Sequence, residues 1–272
     1  MIKKIILKAK LNIKNKIFFY QNKKIMHDTL SLKNSKIKKK VILIGTGKSA
    51  LILDPRKISE LKKNNYEVFS LGGFLSTDLS NEIQIDYYLL SDDRTIFPEK
   101  YDLDEKHKKR LTDTITQINN KNIKLFLPTS TYKKHKFKNK VFYFNNNADK
   151  FTDNISDITK YYGYSSISGI KALSICIFLG YEKIYMCGFD SNHWNNIKVN
   201  SNNEILQINR HFYDEETYLV NNNAGSVGDL LIKCGNIFHS YSKFKDYNII
   251  NLDPNSLVDI FKKKHNLDIY FK

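Results

Sequence analysis

From Lys40 onward the chain alternates short apolar runs with stretches of helical spacing, an order that fits a mainly parallel sheet covered by helices, an α/β fold. Val41 to Ile44 reads as a buried strand running into Gly45-Thr46-Gly47. Further strands are predicted at Tyr66–Leu71, Ile85–Leu90, Ile123–Leu127, Val141–Phe144, Lys183–Cys187 and Asn248–Leu252. Helices are predicted after Pro55 through Ile58 and Leu61, around Lys106 to Ile118, from Val227 to about Tyr241, and from Asn255 to Lys264. The clearest unit is Ser165 to Asp190. Ile167, Ile170, Leu173, Ser174 and Ile177 recur at helical spacing, Gly180 stops the helix, and the next strand ends at Gly188-Phe189-Asp190. Residues 191–225 are polar and Asn-rich, with His193, Trp194, His211 and Tyr213 embedded, and predict an irregular lid or small insertion.

The net charge of +16 is unevenly placed. Residues 1–40 hold thirteen lysines, no arginine and one acid, Asp28, so this arm carries twelve of the sixteen charges. The remaining 232 residues, with 31 basic and 27 acidic side chains, are nearly neutral. On a helical wheel Ile2, Ile5, Ile6, Ala9, Ile13 and Ile17 share one side, and Lys3, Lys4, Lys8, Lys10 and Lys14 the other. Leu7, Leu11 and Phe18 break the pattern on the lysine side and Lys16 on the apolar side. Two readings stay open: an interfacial helix on an anionic membrane, or a solvated extension outside the sheet. Without arginine or an aromatic stacking face the arm is a poor nucleic-acid binder. Cys176, Cys187 and Cys234 form no CxxC pair, so neither a disulfide framework nor a zinc site is expected. No run of eighteen apolar residues occurs, and lysines interrupt the N-terminal apolar residues, so neither a membrane span nor a cleavable signal is expected. The expected site is the cytoplasm, with peripheral docking on the inner membrane surface through the arm.

Four places could carry chemistry. Gly45-Thr46-Gly47-Lys48-Ser49-Ala50 follows a strand, where backbone N–H groups can approach a phosphate. A Walker A loop would need glycine at Ile42, and a dinucleotide fingerprint would need an acid after Phe69-Ser70-Leu71, so a mononucleotide or sugar-nucleotide loop remains, beside a merely structural turn. Gly72-Gly73 and Ser91-Asp92-Asp93 fall at the same strand rim, as ligand contacts or as ordinary exit turns. Ser168-Gly169 begins a buried helix and offers an anion site, unless Ser165, Ser166 or Ser168 is simply its N-cap. His211-Phe212-Tyr213-Asp214-Glu215-Glu216 places a histidine beside acids, as a general base or as polar surface. No metal site is read: His193 and His211 lack ligand spacing, and Asp102-Leu103-Asp104 has no strand leading into it.

The blocks GTGKSAL, SSISGIKALSICIFLGYEKIYMCGFD and DPNSLVDIF, in this order over residues 40 to 262, resemble the bacterial lipooligosaccharide sialyltransferase family. The first two are also similar to motility accessory factor and hydroxymethylpterin-pyrophosphokinase-like proteins, and HFYDEE to uncharacterised polysaccharide-locus members of this wider group. The resemblance implies a Rossmann-like catalytic domain over residues 41–272, with a lid at about 191–225 and helices on both faces of the sheet. It implies a glycosyltransferase that moves a nonulosonic acid from a CMP donor, with inversion and without an essential metal, onto a cell-surface glycan or glycolipid. By position, Gly45, Thr46, Gly47, Lys48 and Ser49 would cradle the nucleotide, Ser168 and Gly169 hold the phosphate or sugar carboxylate, Gly188 and Asp190 contact the ribose, and His211 act as base. Thr46, Gly72-Gly73 and Asp92 stand where the family has asparagines. Its two phosphate-assisting tyrosines are replaced by Asn192 and Lys198, with Tyr213 or one of Tyr161, Tyr162 and Tyr164 as substitutes. The alternatives are a pyrophosphokinase-like enzyme using ATP and Mg²⁺ held by Asp92 and Asp93, and a non-catalytic sugar or nucleotide binder. The expected partners are the donor, the acceptor, an anionic membrane through residues 1–40 and a second copy of the chain, but not nucleic acid.

Overall fold

A computed structural model describes residues 2–164, 167–192, 195–212 and 215–264. The strands are β1 (Lys40–Ile44), β2 (Tyr66–Leu71), β3 (Tyr87–Leu89), β4 (Lys124–Pro128), β5 (Val141–Phe144), β6 (Lys183–Cys187), β7 (Ile197–Val199), β8 (Ile205–Arg210), β9 (Glu215–Leu219), β10 (Ile249–Asn251) and β11 (Lys262–Lys263). The helices are α1 (Ile2–Ser31), α2 (Pro55–Lys63), α3 (Leu79–Glu82), α4 (Asp93–Ile96), α5 (Glu105–Asn120), α6 (Ser168–Leu179), α7 (Val220–Asn223) and α8 (Val227–Ser242). Eight strands form one sheet in the order β11-β10-β6-β1-β2-β3-β4-β5, and every pairing in it is parallel. This is the expected Rossmann-like architecture. The two-residue period of β1 makes the layers: Val41 and Leu43 pack with α6 and α8, while Ile42 and Ile44 pack with α2 and α5. From β1 the chain steps outward through β2 to β5, then returns to place β6 on the other side of β1.

Two expectations are corrected. Residues 191–225 form the expected small insertion, but as ordered strands in place of irregular chain: β7, β8 and β9 make a separate antiparallel sheet followed by α7. Its first turn hides among the asparagines, where the Asn200 carboxamide oxygen accepts from the Asn202 and Glu204 amides, each at 2.9 Å, and Asn203 adopts φ +60°. The helix predicted from Asn255 to Lys264 is absent. The polar residues that look like a helix start are used in turns: Asp253 accepts from Asn255 N–H at 2.8 Å, and the Ser256 hydroxyl donates to the Phe189 carbonyl at 2.7 Å. The Leu257 amide then bonds the Asp190 carbonyl at 3.0 Å, tying this segment to the exit of β6.

The N-terminal arm does not stand outside the sheet either. α1 lies along the edge strand β5, burying Leu11, Met26 and Thr29. The Thr29 hydroxyl accepts from the Tyr143 amide at 2.8 Å and donates to the Tyr143 carbonyl at 2.9 Å, so one side chain occupies both backbone groups of that edge residue. Asn15 accepts from Tyr161 N–H at 3.0 Å and Lys14 pairs with Asp149 at 3.1 Å. This contact explains the broken wheel. Leu11 and Phe18 belong to the face turned toward the body, whereas Ile6, Ile13, Ile17 and Tyr20 fall within about 60° of one another on the opposite side.

Beneath the sheet, Glu67 of β2 accepts from Lys36 at 2.7 Å, Lys39 at 3.1 Å and the Tyr181 hydroxyl. Burial raises the Glu67 pKa, but these donors outweigh it and hold the carboxyl below its ordinary value of 4.5. A depressed carboxyl pKa adds stability that is present above 4.5 and lost as pH falls through the folded value. Glu67→Ala is expected to cost about 2 kcal/mol in urea denaturation at pH 7, since it leaves the half-buried Lys36 without its acid. The difference from the parent chain should shrink as the measurement moves into acid.

Candidate functional site

In open parallel sheets ligands bind where successive connections leave in opposite directions, which here is the rim between β1 and β6. The exit loops of these strands are clasped. Gly45 N–H donates to the Cys187 carbonyl at 2.7 Å and Gly47 N–H to the Gly188 carbonyl at 2.8 Å. A Cβ on Gly45 would stand 2.4 Å from the Gly188 carbonyl oxygen, and Gly188, at φ +78°, would put one 2.7 Å from the Gly45 oxygen. Ser49 completes the clasp. Its hydroxyl accepts from Gly188 N–H at 2.9 Å and donates to Asp190 Oδ1 at 2.5 Å, while its amide donates to the same carboxylate at 3.3 Å.

This geometry revises the role expected for the glycine loop. The Gly45 and Gly47 amides are committed to the Cys187 and Gly188 carbonyls, and the Ser49 amide to the Asp190 carboxylate. Lys48 is exposed at the first residue of a short 3₁₀ turn. Asp253 is buried facing Asp190 and Ser49, and burial together with the Asp190 charge raises its pKa.

Beside the clasp lies a cleft of about 160 Å³. Gly45, Thr46 and Gly47 form one side, Ser168 and Gly169 another, and Gly188, Asp190 and Asn192 a third. Arg210 and His211, from the end of β8, enter from the small sheet. That sheet is pinned by Phe212, whose amide donates to the Thr46 carbonyl at 3.1 Å and whose ring packs against Phe74 at 6.1 Å between centroids. Tyr241 of α8 also lines the cleft, and burial pushes its phenol up to about 12. The N-terminus of α6 opens here. Its N-cap residue, Ile167, provides no side-chain cap. Ser168 is the first helical residue, and its hydroxyl pairs with that of Ser91 at 2.7 Å instead of capping. Gly169 is required for packing, because a Cβ there would lie 2.7 Å from the Phe189 ring.

Other expected site residues lie apart from the cleft. Gly72, at φ +67°, gives its carbonyl to the Tyr88 hydroxyl, and Gly73 begins a 3₁₀ turn. Asp92 caps α4 by accepting from Arg94 N–H at 2.9 Å, and both its oxygens accept from the Arg94 guanidinium at 2.7–3.2 Å. Burial raises its pKa, but Arg94 outweighs that and holds the carboxyl low. A carboxylate so engaged does not fit the magnesium-ligand role considered for Asp92 and Asp93. Among the described residues no three His, Cys, Asp or Glu side chains gather as a metal site. Tyr162 and Tyr164 stack on each other at 4.2 Å within the core, and Tyr161 meets Phe18 edge-on. Tyr213, Asp214, Ser165, Ser166, His193 and Trp194 lie outside the described residues. Sequence reasoning missed Arg210 and Tyr241. The signal for Arg210 was its rarity, as one of four arginines in a lysine-rich chain. For Tyr241 there was none, since it reads as an ordinary core position of a helix.

No protein-family model matches the chain, and no curated protein is similar to it. Among solved structures, the MAf glycosyltransferase from Magnetospirillum magneticum AMB-1 resembles it with a TM-score of 0.49 at 12% identity. The likeness covers 89% of this chain and 38% of that one, so the chain spans well under half of that protein's length. A likeness of this degree fixes no activity.

Asp253 carries a testable consequence of the clasp. A raised folded pKa means that the stability associated with its proton is present at low pH and lost as pH rises from 3.8 through the folded value. Asp253→Asn, which keeps the shape without the second charge, should raise the melting temperature at pH 7. The gain should vanish when both proteins are melted near pH 3.

Proposed function

We propose that the chain is a glycosyltransferase that binds a nucleotide-activated sugar in the β1/β6 cleft, with a CMP-linked nonulosonic acid as donor. One observation carries this reading: a histidine, an arginine, a buried phenol and a helix N-terminus without a side-chain cap face one cleft at the switch point. The N–H groups and dipole of α6 suit the departing phosphate, the role the glycine loop gives up. Arg210 and the Tyr241 hydroxyl can stabilise its growing charge. His211 takes the proton of the acceptor hydroxyl as that oxygen attacks the anomeric carbon. The carbon–oxygen bond to phosphate breaks from the opposite side, the nucleotide leaves with the electron pair, and the anomeric centre inverts. Asp190, held by Ser49, is a positioning residue in this scheme.

α1 supplies the second element of the reading, docking on an anionic membrane where glycolipid acceptors are presented. No described helix is long and apolar enough to cross a membrane. The outward face of α1 instead exposes Ile6, Ile13, Ile17 and Tyr20 at 49–76%, in a segment crowded with lysines. Apolar insertion beside basic side chains is how an interfacial helix binds anionic lipid.

Thermal shift with CMP, CDP, UDP, GDP and ATP, each with and without Mg²⁺, tests the nucleotide class. Stabilisation by CMP alone, independent of Mg²⁺, is expected, and a response only to ATP with Mg²⁺ would overturn the donor. His211→Ala should lower turnover by about 10²–10⁴-fold with nucleotide affinity nearly unchanged. Equal losses in both, or in neither, would remove the base role. For the membrane, liposome flotation should be compared between the full chain and a triple variant, Ile6→Ser, Ile13→Ser and Ile17→Ser. The variant keeps the face of α1 that covers β5 and is expected to lose binding to anionic vesicles. Equal flotation of the two would exclude docking through this face.

A further inference from the structure

α6 is an apolar helix with one charged side chain, Lys171, and that lysine is only 4% exposed. A side chain at this position leans back toward the helix N-terminus, and Asp92 is close enough to act on its charge. No hydrogen bond or ion pair joins it to a described residue. The acids that face it are already engaged. Asp92 gives both oxygens to Arg94, and Asp157 pairs with Lys160 at 2.8 Å and accepts from the Thr159 hydroxyl at 2.6 Å. Burial, only partly opposed by Asp92, lowers the Lys171 pKa to about 8.

Lys171 also lines a small pocket under α6 together with Asn145, Asn154, Asp157, Tyr164 and Ser174. Of the residues that line it, Asn145 has its Nδ2 buried without a hydrogen-bond partner, and the Ser174 hydroxyl has none within hydrogen-bond distance but interacts with the Tyr164 phenol. The pocket of about 10 Å³ suits a single oxygen-sized group. Leaving the Lys171 ammonium and the Asn145 side-chain amide without hydrogen-bond partners among the described residues is costly in a folded chain, so the arrangement calls for an acceptor from outside the protein. The Asn145 side-chain amide, the Ser174 hydroxyl and the Lys171 ammonium can each donate into this space, the Asp157 carboxylate in its lining being taken up by Lys160 and Thr159, and donors of this kind receive an anionic oxygen.

We propose that Lys171, with Asn145 and Ser174, forms an anion subsite beneath α6 that receives an acidic oxygen of a ligand, from either a phosphate or a carboxylate. This subsite is separate from the β1/β6 clasp, and its existence does not depend on the glycosyltransferase reading. Within that reading it would hold a second acidic group of the substrate and so contribute to the choice of an acidic sugar.

The test uses the full chain and simple anions at constant ionic strength: inorganic phosphate, acetate, and chloride as control. In wild-type protein the ¹³Cε resonance of Lys171, assigned by comparison with Lys171→Met, is followed across pH with each anion. Phosphate or acetate should raise the Lys171 titration midpoint by about one pH unit, and chloride should not. Response to phosphate alone, or to acetate alone, identifies the source of the oxygen. In thermal shift the same anion should stabilise wild type by about 3 °C and leave Lys171→Met unmoved. Lys171→Met should itself melt higher than wild type in chloride, because it removes an unpaired buried charge. Ser174→Ala, a smaller change, should weaken the anion response without removing it. A Lys171 resonance that titrates identically in all three salts overturns the proposal, whatever the nucleotide panel shows. Anion binding to Lys171 without any nucleotide response would retain the subsite and discard the transferase.

Discussion

The contact on which the rest of the molecule depends is the meeting of two backbones at Gly45 and Gly188. Strands β1 and β6 are adjacent, and nothing larger than hydrogen fits between the loops that leave them. Because the loops touch, Ser49 can bridge from one to the other and draw Asp190 inward. That carboxylate fixes the position of the β6 exit, which Ser256 and Leu257 then grip from the C-terminal side through the Phe189 and Asp190 carbonyls. One wall of the cleft is thus a rigid piece built from three distant parts of the sequence.

The opposing wall is made differently. Phe212 ties the small antiparallel sheet to the glycine loop through its hydrogen bond to the Thr46 carbonyl and packs its ring on Phe74, which sets Arg210 and His211 over the cleft. Val220, Leu230 and Cys234 anchor the other end of that sheet to α8, alongside Ile197 and Ile205. A cleft whose second wall is a separate sheet can admit a ligand without disturbing the parallel sheet. It also sets Arg210 and His211 on the wall opposite the clasp that holds Asp190 and Asp253.

How much of this could be read from the residues varied with the range of the interaction. The strands at the centre of the sheet and the helix of α6 were legible, since period and flanking glycines are local signals. α1 was obscured because it has two apolar faces, one for β5 and one outward, and their contributions cancel around the wheel. The hairpin at Asn200 was hidden by a composition that resembles loop, and the turn at Asp253 looked like a helix start because the same residue types serve both. In the site, the glycines were conspicuous but their use was not. Whether the amide of Ser49 meets a phosphate or a carboxylate depends on Asp190, 141 residues further on. Lys171 left a trace that a search for motifs passes over, a single charge inside IKALSICIFL.

The Thr29 hydroxyl bonded to both groups of Tyr143 has an implication for how the chain assembles. The two residues are 114 positions apart, so during synthesis Thr29 appears well before the strand it must seal. Until β5 is in place, the inward face of α1 has nothing to bury against, and it shares a helix with an outward face that is itself apolar and flanked by lysines. Seating of α1 therefore records completion of the sheet edge: the helix passes from two uncovered surfaces to one only when the parallel strands have formed.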